Sequence, residues 1–276
     1  MTKLKKVYNY SRGRQIWRLL PTGTNKLIVE ERDTSTKEVF FNCIDINSGK
    51  KIFYDFQLDE KYWTGIETIY NDIIIFHKYA SRDMPEHYEM IAFDINSKKI
   101  IWQNNEYIFL FIRENKIYCY KNKFEGREFF IVDYRTGNLQ ESLGDDANRV
   151  NLLRVNSFNL VNTGSFLFPE PFCRESMNDQ DTGKYFEQYK TKNTIAGKIE
   201  FIKAEDIILF NCHNVLPDGS LKNIFTAFEF SSKKVILEKI LNCRTEIFIP
   251  DCFFTKDGLL FLLIEKIKFK VYSIKK

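Results

Sequence analysis

The most regular feature of the chain is a short polar turn followed by an apolar run of strand length, and it recurs six times. Thr24-Asn25-Lys26 precedes Leu27 to Val29, Asn71-Asp72 precedes Ile73 to Phe76, and Glu114-Asn115-Lys116 precedes Ile117 to Tyr120. Thr163-Gly164-Ser165 precedes Phe166 to Phe168, Glu205-Asp206 precedes Ile207 to Phe210, and Asp257-Gly258 precedes Leu259 to Ile264. Such runs are short for helices and right for strands, and a step of about 42 to 52 residues is that of four-stranded propeller blades.

The second unit shows four strands: Ile66 to Tyr70, Ile73 to Tyr79, Tyr88 to Ile95 and Lys99 to Gln103. Its last two are joined by Asp94-Ile95-Asn96-Ser97-Lys98-Lys99, a turn by composition. Relatives of that turn start at Asp45, Asp133 and Glu229. The last unit has only three strands, and Gln15-Ile16-Trp17-Arg18 resembles Ile100-Ile101-Trp102-Gln103. An N-terminal strand, Gln15 to Leu19, is therefore expected to close the last blade against Lys268 to Ile274, with Ile16 and Trp17 in the core. The prediction is one all-β domain over residues 1–276, a β-propeller of four-stranded antiparallel blades, six in number with five or seven as the alternatives. Residues 145–194 are the weak unit, because Pro169, Pro171 and the polar run Glu175 to Gly183 interrupt the strand pattern. They read as either a blade or an insertion, with a short helix at Lys184 to Lys190.

Composition agrees with strands, since 16% of the residues are aromatic, mostly Phe and Tyr. A net charge of +4 from residues of both signs describes a solubilised surface, so nucleic acid is not the expected partner. Alternating lysines near the C-terminus, Lys266, Lys268 and Lys270, are expected to guard a sheet edge. No secretory signal and no apolar run of membrane-spanning length is visible, and the six cysteines are scattered without a CxxC pair. They are expected to be reduced, in a soluble cytoplasmic protein.

The stretch Met90 to Trp102, with Asp94 and the turn ahead of Trp102, is similar to the repeat of quinoprotein-type and WD40-like propellers. In those repeats the tryptophan docks against the neighbouring blade. No quinone cofactor is expected, because adjacent cysteines are missing. A longer stretch, Glu60-Lys61-Tyr62-Trp63 through Ile66-Glu67 to His77, Tyr79, Pro85, His87 and Trp102, resembles an uncharacterised bacterial family, domain of unknown function 4905. The likeness extends to Asp251-Cys252-Phe253-Phe254, with Lys98 where a turn glycine is usual. That family carries no assigned chemistry, so no catalytic residue follows from it.

Candidate chemistry concentrates in one unit. His77 and His87 fall on successive strands across the loop from Ala80 to Glu86, with Asp83 and Glu86 nearby. Zinc or iron needs three or four converging donors, so neither metal nor cofactor is expected. Trp63, Glu67, His77, Tyr79 and His87 form the candidate binding site, an aromatic, acidic and imidazole cluster at one end of a blade, weighed against plain packing under the loop. GxSxG, P-loop, GxGxxG and HExxH motifs are absent. The pairs Asp145-Asp146 and Glu205-Asp206 are expected to bind turn amides. The function expected is a non-catalytic scaffold for a protein partner, the alternative being a small-ligand-binding or hydrolytic enzyme with its site in the central channel.

Overall fold

A computed structural model describes residues 3–81, 84–158, 166–174 and 179–275. The turn at 163–165, Asp83 and residues 175–178 of the polar run lie outside them. The chain divides into two compact units, Ile16–Gly164 and Met1–Gln15 with Ser165–Lys276.

After strand β1 (Lys3–Ser11), the 16–164 unit holds three antiparallel four-stranded meanders. The first is β2 (Gln15–Pro21), β3 (Lys26–Asp33), β4 (Glu38–Asp45) and β5 (Lys51–Phe56). The second is β6 (Thr64–Tyr70), β7 (Ile73–Ser81), β8 (Met84–Asp94) and β9 (Lys99–Asn104). The third is β10 (Ile108–Arg113), β11 (Lys116–Asn122), β12 (Arg127–Asp133) and β13 (Leu139–Gly144), followed by helix α1 (Ala147–Phe158).

The unbroken apolar run of β7 has a direct cause. Successive strand residues point to opposite faces, and here both faces are covered. Ile74 and Phe76 pack with Ile28, Phe41 and Phe53 of the first meander. Ile73 and Ile75 pack with Cys119, Phe130 and Val132 of the third.

The polar turns also have local causes. Asn71 and Asp72 (φ 45° and 61°), and Glu114 and Asn115 (φ 50° and 65°), all lie in the left-handed region, as two-residue hairpins with a primed turn require. In the longer turns the Asp45 carboxylate accepts from the Ser48 N–H at 2.8 Å, and the Asp133 carboxylate from the Thr136 N–H at 2.8 Å. The N–H groups of Gly49, Lys98 and Gly137 then each close onto the carbonyl of the leading aspartate at 2.8 Å. Lys98 takes the left-handed conformation (φ 58°) without being glycine.

The other unit contains strands β14 (Phe166–Leu167) and β15 (Glu170–Pro171), helix α2 (Gln180–Lys192), and two sheets. One sheet is β15 followed by the meander β16 (Ile195–Ala204), β17 (Ile207–Val215), β18 (Leu221–Glu229) and β19 (Lys234–Thr245). The other runs β14, β20 (Phe253–Lys256), β21 (Leu259–Ile264), β22 (Lys268–Lys275) and β1. Helix α2 is capped by Asp179, and its Phe186 is fully buried among Phe172, Ile199 and Phe210.

The described residues thus form five sheets where the turns predict six units. Among the described residues of 145–194 there are helices α1 and α2 and the two-residue strands β14 and β15. An N-terminal strand does pair with the C-terminal one, but it is β1, with Tyr10 opposite Phe269, and not Gln15 to Leu19. Those residues start the first meander instead, where the pleat buries Ile16 and leaves Trp17 56% exposed. β22 accordingly lies inside its sheet, and the edge belongs to β1 with Lys3, Lys5 and Lys6. Among the described residues no helix is long and apolar enough to cross a membrane.

Candidate functional site

The five candidate site residues come together in the second meander. Glu67 is the extra residue of a bulge, because the β6–β7 register slips between Ile66 and Thr68. A second slip, between Phe76 and Lys78 of β7 against β8, flanks His77 and coincides with a left-handed Glu89 (φ 58°). Bulges re-aim side chains, and here two of them flank one cluster. Tyr79 and His87 are direct cross-strand partners.

Glu67 Oε1 lies 2.7 Å from His87 Nδ1 and 3.2 Å from His77 Nδ1. The first contact is a hydrogen bond. The second has the distance of an ion pair without the geometry of a hydrogen bond, so neither nitrogen of His77 has a hydrogen-bond partner among the described residues. The two imidazoles stack with centroids 3.6 Å apart and planes 7° from parallel. Tyr79 meets them edge-on, 4.9 Å from His77 and 5.1 Å from His87. Trp63 stands behind Tyr79 at 6.4 Å, and its carbonyl accepts the Tyr79 N–H at 2.9 Å. Trp63 therefore supports the cluster from the rear.

Burial holds the His77 imidazole below its ordinary pKa, outweighing the pull of Glu67 in the other direction. Burial would raise the Glu67 carboxyl, but its close contacts with the His77 and His87 imidazoles outweigh that and hold it below the usual carboxylate range.

Two contributors were not readable from spacing. Gly65 sits opposite His77, and a Cβ there would be 2.9 Å from His77 Cε1 and Nε2, so only glycine lets the ring lie flat on the strand. Arg18 donates to the Ile66 carbonyl at 3.2 Å beside the bulge and is itself fixed by Glu30 at 2.8 Å. Neither long-range contact leaves a periodic trace in the sequence.

His87 also lines a cleft of ≈ 520 Å³ together with Glu86, Ile108, Phe109, Leu110, Tyr120 and Arg127. Leu110 is turned into it by another bulge, between Phe109 and Phe111. The Arg127 guanidinium lies over the Tyr120 ring at 4.3 Å, and Asn122 donates to Glu86 at 3.0 Å. Glu86 thus faces the cleft and is not one of the grouped donors. His213 sits elsewhere, buried, accepting the Ile249 N–H at 3.2 Å. The acidic pairs serve amides as expected: Asp146 accepts from Arg149 N–H and Asp206 from Ser231 N–H.

The family profile described as "Domain of unknown function (DUF4905)" matches residues 20–102, which contain the whole cluster. No curated protein sequence matches the chain. Among solved structures, similarity is found to a member of the DUF4221 family from Bacteroides vulgatus, with TM-score 0.35 and 9% identity over 99% of this chain and 98% of that one. A structure described as the eukaryotic initiation factor gives TM-score 0.35 and 9% identity over 95% of this chain and 52% of that one. The β-propeller domain of the Trilobed protease from Pyrococcus furiosus gives TM-score 0.32 and 11% identity over 92% and 64%. The chain spans about half the length of the second and under two thirds of the third.

Proposed function

We propose that the chain is a single β-propeller of five blades, resident in the cytoplasm, that acts as a non-catalytic scaffold and takes a protein partner in the cleft beside His87. Five four-stranded antiparallel meanders in chain order, the last completed by β1, support the blade reading. The six cysteines form no disulfide among the described residues, which suits a reducing compartment.

The observation that carries the binding reading is the double membership of His87. It is held by Glu67 and stacked on buried His77, and it also lines the cleft. A side chain fixed on one side and presented on the other is pre-organised for recognition. The cleft offers apolar Ile108, Phe109 and Leu110 with the charged tips of Arg127 and Glu86, a mixture suited to a peptide segment with an apolar anchor and an acidic neighbour.

The test is affinity capture from native lysate with wild-type chain, His87→Ala and Arg127→Glu in parallel. A protein retained by wild type and lost from both variants supports the site. Partners retained by both variants would place recognition elsewhere.

A further inference from the structure

Glu67, His77 and His87 each offer one donor atom, and these atoms lie within 4.8 Å of one another. His77 is only 3% exposed, yet neither of its ring nitrogens has a hydrogen-bond partner among the described residues. Buried polar side chains are normally satisfied, yet here Nε2 has no partner among the described residues and Nδ1 has only the 3.2 Å approach of Glu67, so His77 has capacity for a ligand. Both Nδ1 atoms approach the same carboxylate oxygen, at 2.7 and 3.2 Å, so three donors are gathered in one place.

We infer that Glu67, His77 and His87 form a binding site for a divalent transition-metal ion of the zinc class. Two imidazole nitrogens and one carboxylate oxygen suit zinc, ferrous iron or cobalt, whereas calcium and magnesium ask for more oxygens and copper(I) for thiolates. Metal–ligand bonds of about 2.0 to 2.1 Å place tetrahedral donors about 3.3 Å apart. The two Nδ1 atoms already lie 2.7 and 3.2 Å from the Glu67 oxygen, so a bound ion needs only a slight spreading of the donors, supplied by rotation of the stacked rings. Three protein donors leave one position for water or for a group of whatever enters the cleft. The bulge turns Glu67 toward the imidazoles, and the missing Cβ at position 65 leaves room for the His77 ring beside it.

The site shares His87 with the partner cleft proposed above, but its test reads metal binding directly and needs no partner. Metal-free chain is titrated with Co²⁺, followed by its visible absorption, and then with Zn²⁺. The expected result is one Co²⁺ per chain, with the absorption of a low-coordinate nitrogen and oxygen site, displaced by one equivalent of Zn²⁺. His87→Gln and Glu67→Gln should each weaken binding by about tenfold or more. His87 is partly exposed, so its substitution tests coordination without opening the core. Absence of saturable Co²⁺ binding, or unchanged binding in either variant, would overturn the inference.

Discussion

Trp102 donates its indole N–H to the backbone carbonyl of Tyr134 at 3.0 Å, fastening the last strand of the second meander to the turn that ends β12. The turn is shaped to receive it: Gly137 has φ 70°, and a Cβ there would lie 2.8 Å from Trp102 Cδ2. Gly137→Ala is penalised twice, by the left-handed backbone and by the clash, for about 1 to 3 kcal/mol. Trp102→Phe keeps most of the ring and loses the hydrogen bond, for about 0.5 to 1.5 kcal/mol. Urea midpoints at equal slope give both values. A neutral Gly137→Ala would contradict the docking.

Asp72 joins the first two meanders through Lys26 Nζ at 2.6 Å and Thr24 Oγ1 at 2.6 Å. Its burial would raise the carboxyl, but the bonds from Lys26 and Thr24 outweigh it and hold the group below the usual carboxylate value. A depressed folded pKa stabilises the fold above the unfolded value of about 3.9 and loses that contribution as pH falls through the folded value. Asp72→Asn keeps a residue that tolerates φ 61° and removes the charge. Its deficit against wild type should be largest at pH 7 and shrink below pH 4 in denaturation curves. A gap that stays constant down to pH 2 would show that charge is not the cause.

Thiol chemistry should divide by burial. Cys173 and Cys243 are exposed, while Cys43, Cys119, Cys212 and Cys252 are buried. Burial pushes the Cys43, Cys119 and Cys252 thiols to about 12 and Cys212 to about 11. Cys243 is raised as well, by the Glu265 carboxylate that accepts its N–H at 2.8 Å. A thiol reagent at pH 8 should modify Cys173 fastest in the native protein, Cys243 more slowly, and all six after denaturation without reductant. Rapid native modification of Cys119 would show that the packing between the second and third meanders opens.

The turns were legible because their causes are local: a polar pair able to adopt positive φ, or an aspartate that bonds the amides three residues on. The cluster was legible too, since alternate positions of neighbouring strands share a face and Glu67, His77, Tyr79 and His87 all fall on it. Its tightness was not. The bulge at Glu67, the flat approach over Gly65 and the brace from Arg18 depend on register and on a residue 48 positions from the carbonyl it holds. Strand β1 was hidden for a related reason. Its register slips between Lys6 and Tyr8, and only Tyr10 is buried, so its apolar alternation of Leu4, Tyr8 and Tyr10 is broken by Lys6 and Val7.

The two strands near the N-terminus therefore make opposite predictions for two aromatic residues. Tyr10 on β1 is buried and stacks on Phe269 of β22 with centroids 4.9 Å apart and planes 12° from parallel. Truncating a buried aromatic side chain costs about 3 to 5 kcal/mol, a large share of a domain's total of about 5 to 15. Trp17 on β2 is more than half exposed, with the Arg32 guanidinium 5.0 Å above its ring, a contact worth about 0.5 to 1 kcal/mol. Tyr10→Ala should thus cost several times more than Trp17→Ala, although it lies nearer the chain end. Deleting residues 1–11 should be at least as damaging as Tyr10→Ala, because it also bares the backbone of β22 as a sheet edge. Guanidinium unfolding of the three variants ranks them directly. If Trp17→Ala proves the costlier substitution, Gln15 to Leu19 must replace β1 beside β22, and the pairing of Tyr10 with Phe269 is wrong.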